Sequence, residues 1–107
     1  MIFEWFNTTE VDALADRLAG DLAKRVPPAS IDATGKKAES QQTRSRDMML
    51  RQVQDFASKH PLNVFKKARL ANRFKWALIE AGYPRKFVDD MAFELAAVVA
   101  TTKKRPA

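Results

Sequence analysis

Five cations stand within the eleven residues FKKARLANRFK (65–75): Lys66, Lys67, Arg69, Arg73 and Lys75. Clustered lysines and arginines can displace counterions from a nucleic-acid backbone. On a helix advancing about 100° per residue, Lys66, Arg69 and Arg73 share with Glu80 a sector about 60° wide. Phe65 and Trp76 flank that stripe, where aromatic rings could stack on unpaired bases. The same pattern fits an ordinary helix whose charged face meets water, whose aromatics are core, and whose Arg73 lies against Trp76. In the nucleic-acid reading, Arg85 and Lys86 complete a phosphate-contacting set of Lys66, Arg69, Arg73, Arg85 and Lys86. Sequence-specific reading of a duplex is disfavoured. The helix beginning PRKFVDDMAFELA turns Asp89, Asp90 and Glu94 outward, against a polyanion.

Those three carboxylates are also the candidate metal ligands, but they lack the glycine and alternating-acid spacing of a calcium loop, so no metal is expected. The sole histidine, His60, precedes Pro61 at an expected helix end. Local spacing places no acid or nucleophile beside it, and a cation at a helix C-terminus accounts for it. There is no phosphate-binding loop, dinucleotide glycine fingerprint, zinc-binding His-Glu pattern or nucleophile elbow. Cysteine is absent, which removes disulfides, thiolate nucleophiles and cysteine-held metals. The sequence therefore predicts neither an enzyme nor a cofactor.

Two aromatic features fall outside the expected core. Phe93 sits on the polar side of its helix, among Asp89, Asp90, Glu94 and Lys86. It suits an anchor in a partner interface, where buried aromatics dominate affinity. The opening MIFEWF supplies Phe3, Trp5 and Phe6, which either tuck in as a staple on the first helix or stand out as a docking segment.

The elements that carry these residues are read from periodicity. Val11, Leu14, Ala15, Leu18, Leu22 and Val26 recur at helical spacing in a first helix over about residues 7–26, with Thr8 and Thr9 as candidate caps. Pro27-Pro28 stops it, and PPASIDATGKKA makes residues 27–38 a mobile connection. A second helix over about 39–58 places Met49, Leu50, Val53, Phe56 and Ala57 on one face, opposite Arg44, Asp47, Arg51 and Asp55. A third runs from Asn63, a candidate cap, to Ala81, with Gly82 ending it. Apolar residues cover most of its circumference. Leu70, Phe74, Ala77, Leu78 and Ala81 form one sector, and Phe65, Ala68, Trp76 and Ile79 a second. This predicts a central helix wrapped by its neighbours. A fourth helix runs from Pro84 to Thr101 with Phe87, Val88, Met91, Leu95, Val98 and Val99 inward, and residues 103–107 fray.

The 107 residues suit one small domain. The net charge of +6 is uneven: residues 1–30 hold three bases against five acids, and residues 61–107 ten against four. No apolar run approaches the roughly 20 residues of a membrane span. MIFEWFNTTE lacks a basic n-region and a long apolar h-region, so a cytoplasmic protein without a cleaved leader is the expectation.

The fold class that follows is all-α: a small four-helix bundle or orthogonal helical domain. The helical core spans about 39–102, and helix one joins it through a mobile connection. The leading functional expectation is a non-catalytic protein-interaction or regulatory module using Phe3, Trp5, Phe6 and Phe93. Its partner is another protein or, in a homodimer, a second copy. Nucleic-acid binding through the basic stripe is the alternative. Membrane association through the N-terminal aromatics is a weaker third, since six residues with Glu4 and no basic cluster hold lipid poorly.

Overall fold

The computed structural model describes residues 7–31 and 35–102, which form four α-helices and a short 3-10 turn at Pro28–Ser30. Helix α1 is Thr9–Arg25, α2 Lys36–Lys59, α3 Val64–Ala81 and α4 Arg85–Thr101. Their ends follow from local chemistry. At the start of α1 the Asn7 side chain accepts from the Thr9 N–H at 3.0 Å, while the Thr8 hydroxyl donates to Asp12 rather than capping. The Asn63 side chain caps α3 by accepting from the Lys66 N–H at 2.8 Å. Gly82, at φ +99°, ends α3 in the left-handed conformation; its N–H and that of Tyr83 close back on Ile79 and Leu78. Pro84 then leads into α4, where its missing N–H costs nothing.

The helices form a four-helix bundle around one core. Val11, Leu14, Leu18 and Leu22 enter it from α1, Met49 and Val53 from α2, Leu70, Phe74 and Leu78 from α3, and Val88, Met91, Leu95 and Val99 from α4. Leu50, Phe56, Phe87 and Val98 pack against its edge. The register of side-chain bonds gives the arrangement. Asp12 meets Arg69, Asp16 meets Arg73 and Val26 meets Tyr83, each pair 57 residues apart, so α1 and α3 run parallel and side by side. Helices α3 and α4 are antiparallel about the Gly82 turn. Helices α1 and α2 are also antiparallel, with Glu10 against His60 at one end and the Arg25 carbonyl accepting from Gln41 at the other. Helices α2 and α4 close the ring through Arg46 and Glu94.

Two expectations are corrected. Helix one is not an appendage to a core made by the other three: its apolar stripe is fully buried, and its most extensive neighbour is α3. Nor is α3 wrapped on most sides. Only the Leu70–Phe74–Leu78 sector is fully buried; Ala68 and Trp76 are exposed, Phe65 is 38% exposed, and Ile79 is half-buried at the edge. On the helical wheel Trp76 stands nearly opposite Phe74, and α1 and α4 cover only the Phe74 side.

One buried polar contact fastens the far end of the α1–α3 seam. The Tyr83 hydroxyl, in a residue 5% exposed, donates to the Val26 carbonyl at 2.6 Å. Burial pushes this hydroxyl up to about 12 from an ordinary 10.0. The folded state therefore keeps a proton that the unfolded chain releases. Stability from this group is complete below pH 10.0 and drains away as pH rises toward 12. Tyr83→Phe should cost about 1–3 kcal/mol at neutral pH by stranding the Val26 carbonyl. It should also flatten the alkaline loss in denaturant melts across that pH range. Phe74→Ala, emptying a fully buried site, should cost about 3–5 kcal/mol in the same melts.

Candidate interaction surface

The basic stripe is not a free cationic edge. Arg69 forks onto Asp12 (Nε–Oδ1 2.9 Å, Nη2–Oδ2 3.2 Å), and Arg73 onto Asp16 (Nε–Oδ1 3.0 Å, Nη2–Oδ2 2.9 Å). Two acids four residues apart on α1 face two arginines four residues apart on a parallel α3, so the rungs align. The arginines still meet solvent, with side chains 42% and 40% exposed, but each is engaged by a carboxylate of α1. The hydrogen bonds from Arg69 hold the Asp12 carboxyl below its ordinary 3.8; the Thr8 hydroxyl and the charges of Arg69 and Arg73 push the same way, while partial burial opposes them. Asp12 in turn raises Arg69, and Asp16 raises Arg73.

The other members of the predicted cationic set are dispersed. Arg85 pairs with Asp89 one turn along α4 at 3.4 Å. Lys66 and Lys86 have no carboxylate within ion-pair distance among the described residues. They begin α3 and α4 respectively. Because these helices are antiparallel about the Gly82 turn, the two residues lie near opposite ends of α3, about 20 Å apart along its axis. Three of the five cations are thus engaged by carboxylates: Arg69, Arg73 and Arg85.

His60 gained a neighbour that local spacing could not show. Its Nδ1 lies 3.4 Å from Glu10 Oε2, and its ring packs on Phe56 with centroids 4.3 Å apart. The shallow groove around it presents Arg17, Gln52, Asp55 and Lys59 but no serine, threonine or cysteine. The pair ties the start of α1 to the end of α2. Among the described residues, no three His, Cys, Asp or Glu side chains are gathered to hold a metal ion. No helix among them is long and apolar enough to cross a membrane. Phe3, Trp5 and Phe6 lie outside the described residues.

Phe93 is 74% exposed, as its polar neighbours on the wheel foretold. Beside it the seam between α2 and α4 opens into a groove of about 360 Å³. Leu22 of α1 and Val26 just past its end, with Phe87 and Met91 of α4, make the apolar floor. Gln42, Thr43 and Arg46 rise along α2, and Asp90 and Glu94 along α4. Arg46 Nη1 reaches Glu94 Oε1 at 3.3 Å. The buried Arg46 Nε and Glu94 Oε2 have no hydrogen-bond partner, and no other buried side-chain polar atom among the described residues is left so. Sequence periodicity gave Phe93 its outward position. It gave no sign of the groove, whose floor is completed by the end of α1.

Compared with protein-family models, characterised proteins and solved structures, the chain matches none.

The Arg69–Asp12 rung yields a pH test. Because the Asp12 carboxyl is depressed in the fold, its contribution is present above 3.8 and lost as pH falls through its folded value. Asp12→Asn should lower neutral-pH stability by about 1 kcal/mol or less, since water screens a partly exposed pair. It should also remove part of the acid-side decline in denaturant melts.

Proposed function

We propose that this protein is a non-catalytic helical interaction module that binds another protein through the α2–α4 groove and Phe93. The observation that carries the reading is a large aromatic, 74% exposed, standing at the lip of an apolar-floored groove. Exposed aromatics beside a pocket are the usual anchors of protein interfaces, because they bury much area with little loss of side-chain freedom. Trp76 is also exposed, at 55%, but it does not line this groove. Among the described residues the groove walls carry one hydroxyl, Thr43, and neither histidine nor cysteine, which favours binding over covalent chemistry.

Affinity capture from the cells that make the protein provides the test, with wild type, Phe93→Ala and Trp76→Ala as baits. At least one protein held by wild type and by Trp76→Ala should fall about tenfold or more with Phe93→Ala. An identical set of captured proteins on all three baits would overturn the reading.

A further inference from the structure

The charge of the groove specifies what kind of segment it accepts. Its walls hold three carboxylates, Glu39, Asp90 and Glu94, against one guanidinium, Arg46. The chain as a whole carries +6, so this is an acidic seam in a basic protein. On the α4 wheel Asp90 and Glu94 lie between outward-facing Phe93 and the floor residues Phe87 and Met91. A side chain entering over Phe93 therefore passes both carboxylates before it reaches apolar surface. Glu94 is held by a single 3.3 Å contact and keeps one buried oxygen unpartnered. An incoming donor would relieve that deficit, and Arg46 alone does not. The groove runs along two side-by-side helices for about two turns, a shape that takes a third helix ridge-into-groove.

We infer that the occupant is a basic amphipathic helix of a partner protein. One of its bulky apolar side chains seats on Leu22, Val26, Phe87 and Met91 against Phe93. A lysine or arginine about one turn away bridges Asp90 and Glu94. This rests on the interaction-module reading and adds the partner's chemistry. The net positive charge of the whole molecule works against a cationic ligand, so binding of one reports the local carboxylates rather than a general attraction.

The test titrates the full chain into three fluorescent peptides and reads anisotropy. The first is an amphipathic Leu/Lys helix, the second its Leu/Glu twin, and the third a scrambled Leu/Lys sequence without an apolar face. The Leu/Lys helix should bind, and the other two should bind at least about tenfold more weakly. Phe93→Ala should weaken the Leu/Lys complex about thirtyfold. Asp90→Asn with Glu94→Gln should weaken it about fivefold and reduce its salt sensitivity. Glu80→Gln, on α3, should leave it unchanged. Circular dichroism of each variant confirms that the helices are intact.

Equal binding of the Leu/Lys and Leu/Glu helices, or indifference to the Asp90–Glu94 pair, would overturn the inference. So would self-association of the wild-type chain that Phe93→Ala abolishes, since the occupant would then be a second copy. Failure of the peptides while Phe93→Ala still loses a captured protein sinks the basic helix alone. If Phe93→Ala changes neither measurement, the module reading falls with it.

Discussion

The register between α1 and α3 governs the rest of the bundle. A parallel pair of neighbouring helices has no tight turn between them to fix their offset, so side chains must do it. Here three contacts share one offset of 57 residues: Asp12 to Arg69, Asp16 to Arg73, and Val26 to Tyr83. Screened surface ion pairs contribute little stability individually. Their value lies in what a slip would do. Sliding α1 by one turn would leave one arginine and one aspartate unmatched, and it would strand the buried Tyr83 hydroxyl away from its carbonyl. The apolar stripe of α1 supplies the attraction, and the polar contacts choose among the registers that attraction permits.

The same contacts explain which features were legible in the sequence. The ends of α3 were, because they are set within a few residues: Asn63 and Gly82 act as caps where composition placed them. The inward stripes of α1, α2 and α4 were, because each has one apolar face. Helix α3 has two, and its own sequence does not say whether Phe74 or Trp76 is inside. That depends on where α1 and α4 lie. The pairing of the basic stripe was illegible for a related reason. A wheel shows that Lys66, Arg69 and Arg73 share a sector but cannot show what faces it. The matching signal was Asp12 and Asp16, 57 residues earlier, and it acquires meaning only once α1 is known to lie beside α3 in parallel. The groove was illegible because three helices build it and none shows a gap in its own pattern.

Charge distribution follows from this geometry. A net charge of +6 with its excess in the last 47 residues suggests an anion-binding face. The fold turns two of those cations toward α1 and a third, Arg85, toward Asp89. The acids of α4 have less to meet: Asp90 stands exposed, and Glu94 has one imperfect partner. Net charge therefore does not describe the local surface along α4, and the proposed function rests on that local departure.

The register clasp also reaches the groove itself. Tyr83 holds the Val26 carbonyl, and Val26 is part of the groove floor. The Tyr83 ring stacks on Phe87, another floor residue, with centroids 4.8 Å apart and planes 22° from parallel. One side chain thus sets the positions of floor residues contributed by α1 and by α4. Tyr83 is itself fixed by the glycine turn that ends α3. The floor is consequently built on an end of the bundle that the Tyr83 contacts and the Gly82 turn both hold. Its wall, by contrast, is held by the 3.3 Å Arg46–Glu94 contact, with Asp47 4.0 Å from Arg46 Nε, and leaves a donor and an acceptor without hydrogen-bond partners. Under the proposed function, a floor tied down by Tyr83 beneath a wall with unused polar atoms would let an entering segment find its apolar seat first, with polar contacts rearranging around it at little cost to the core.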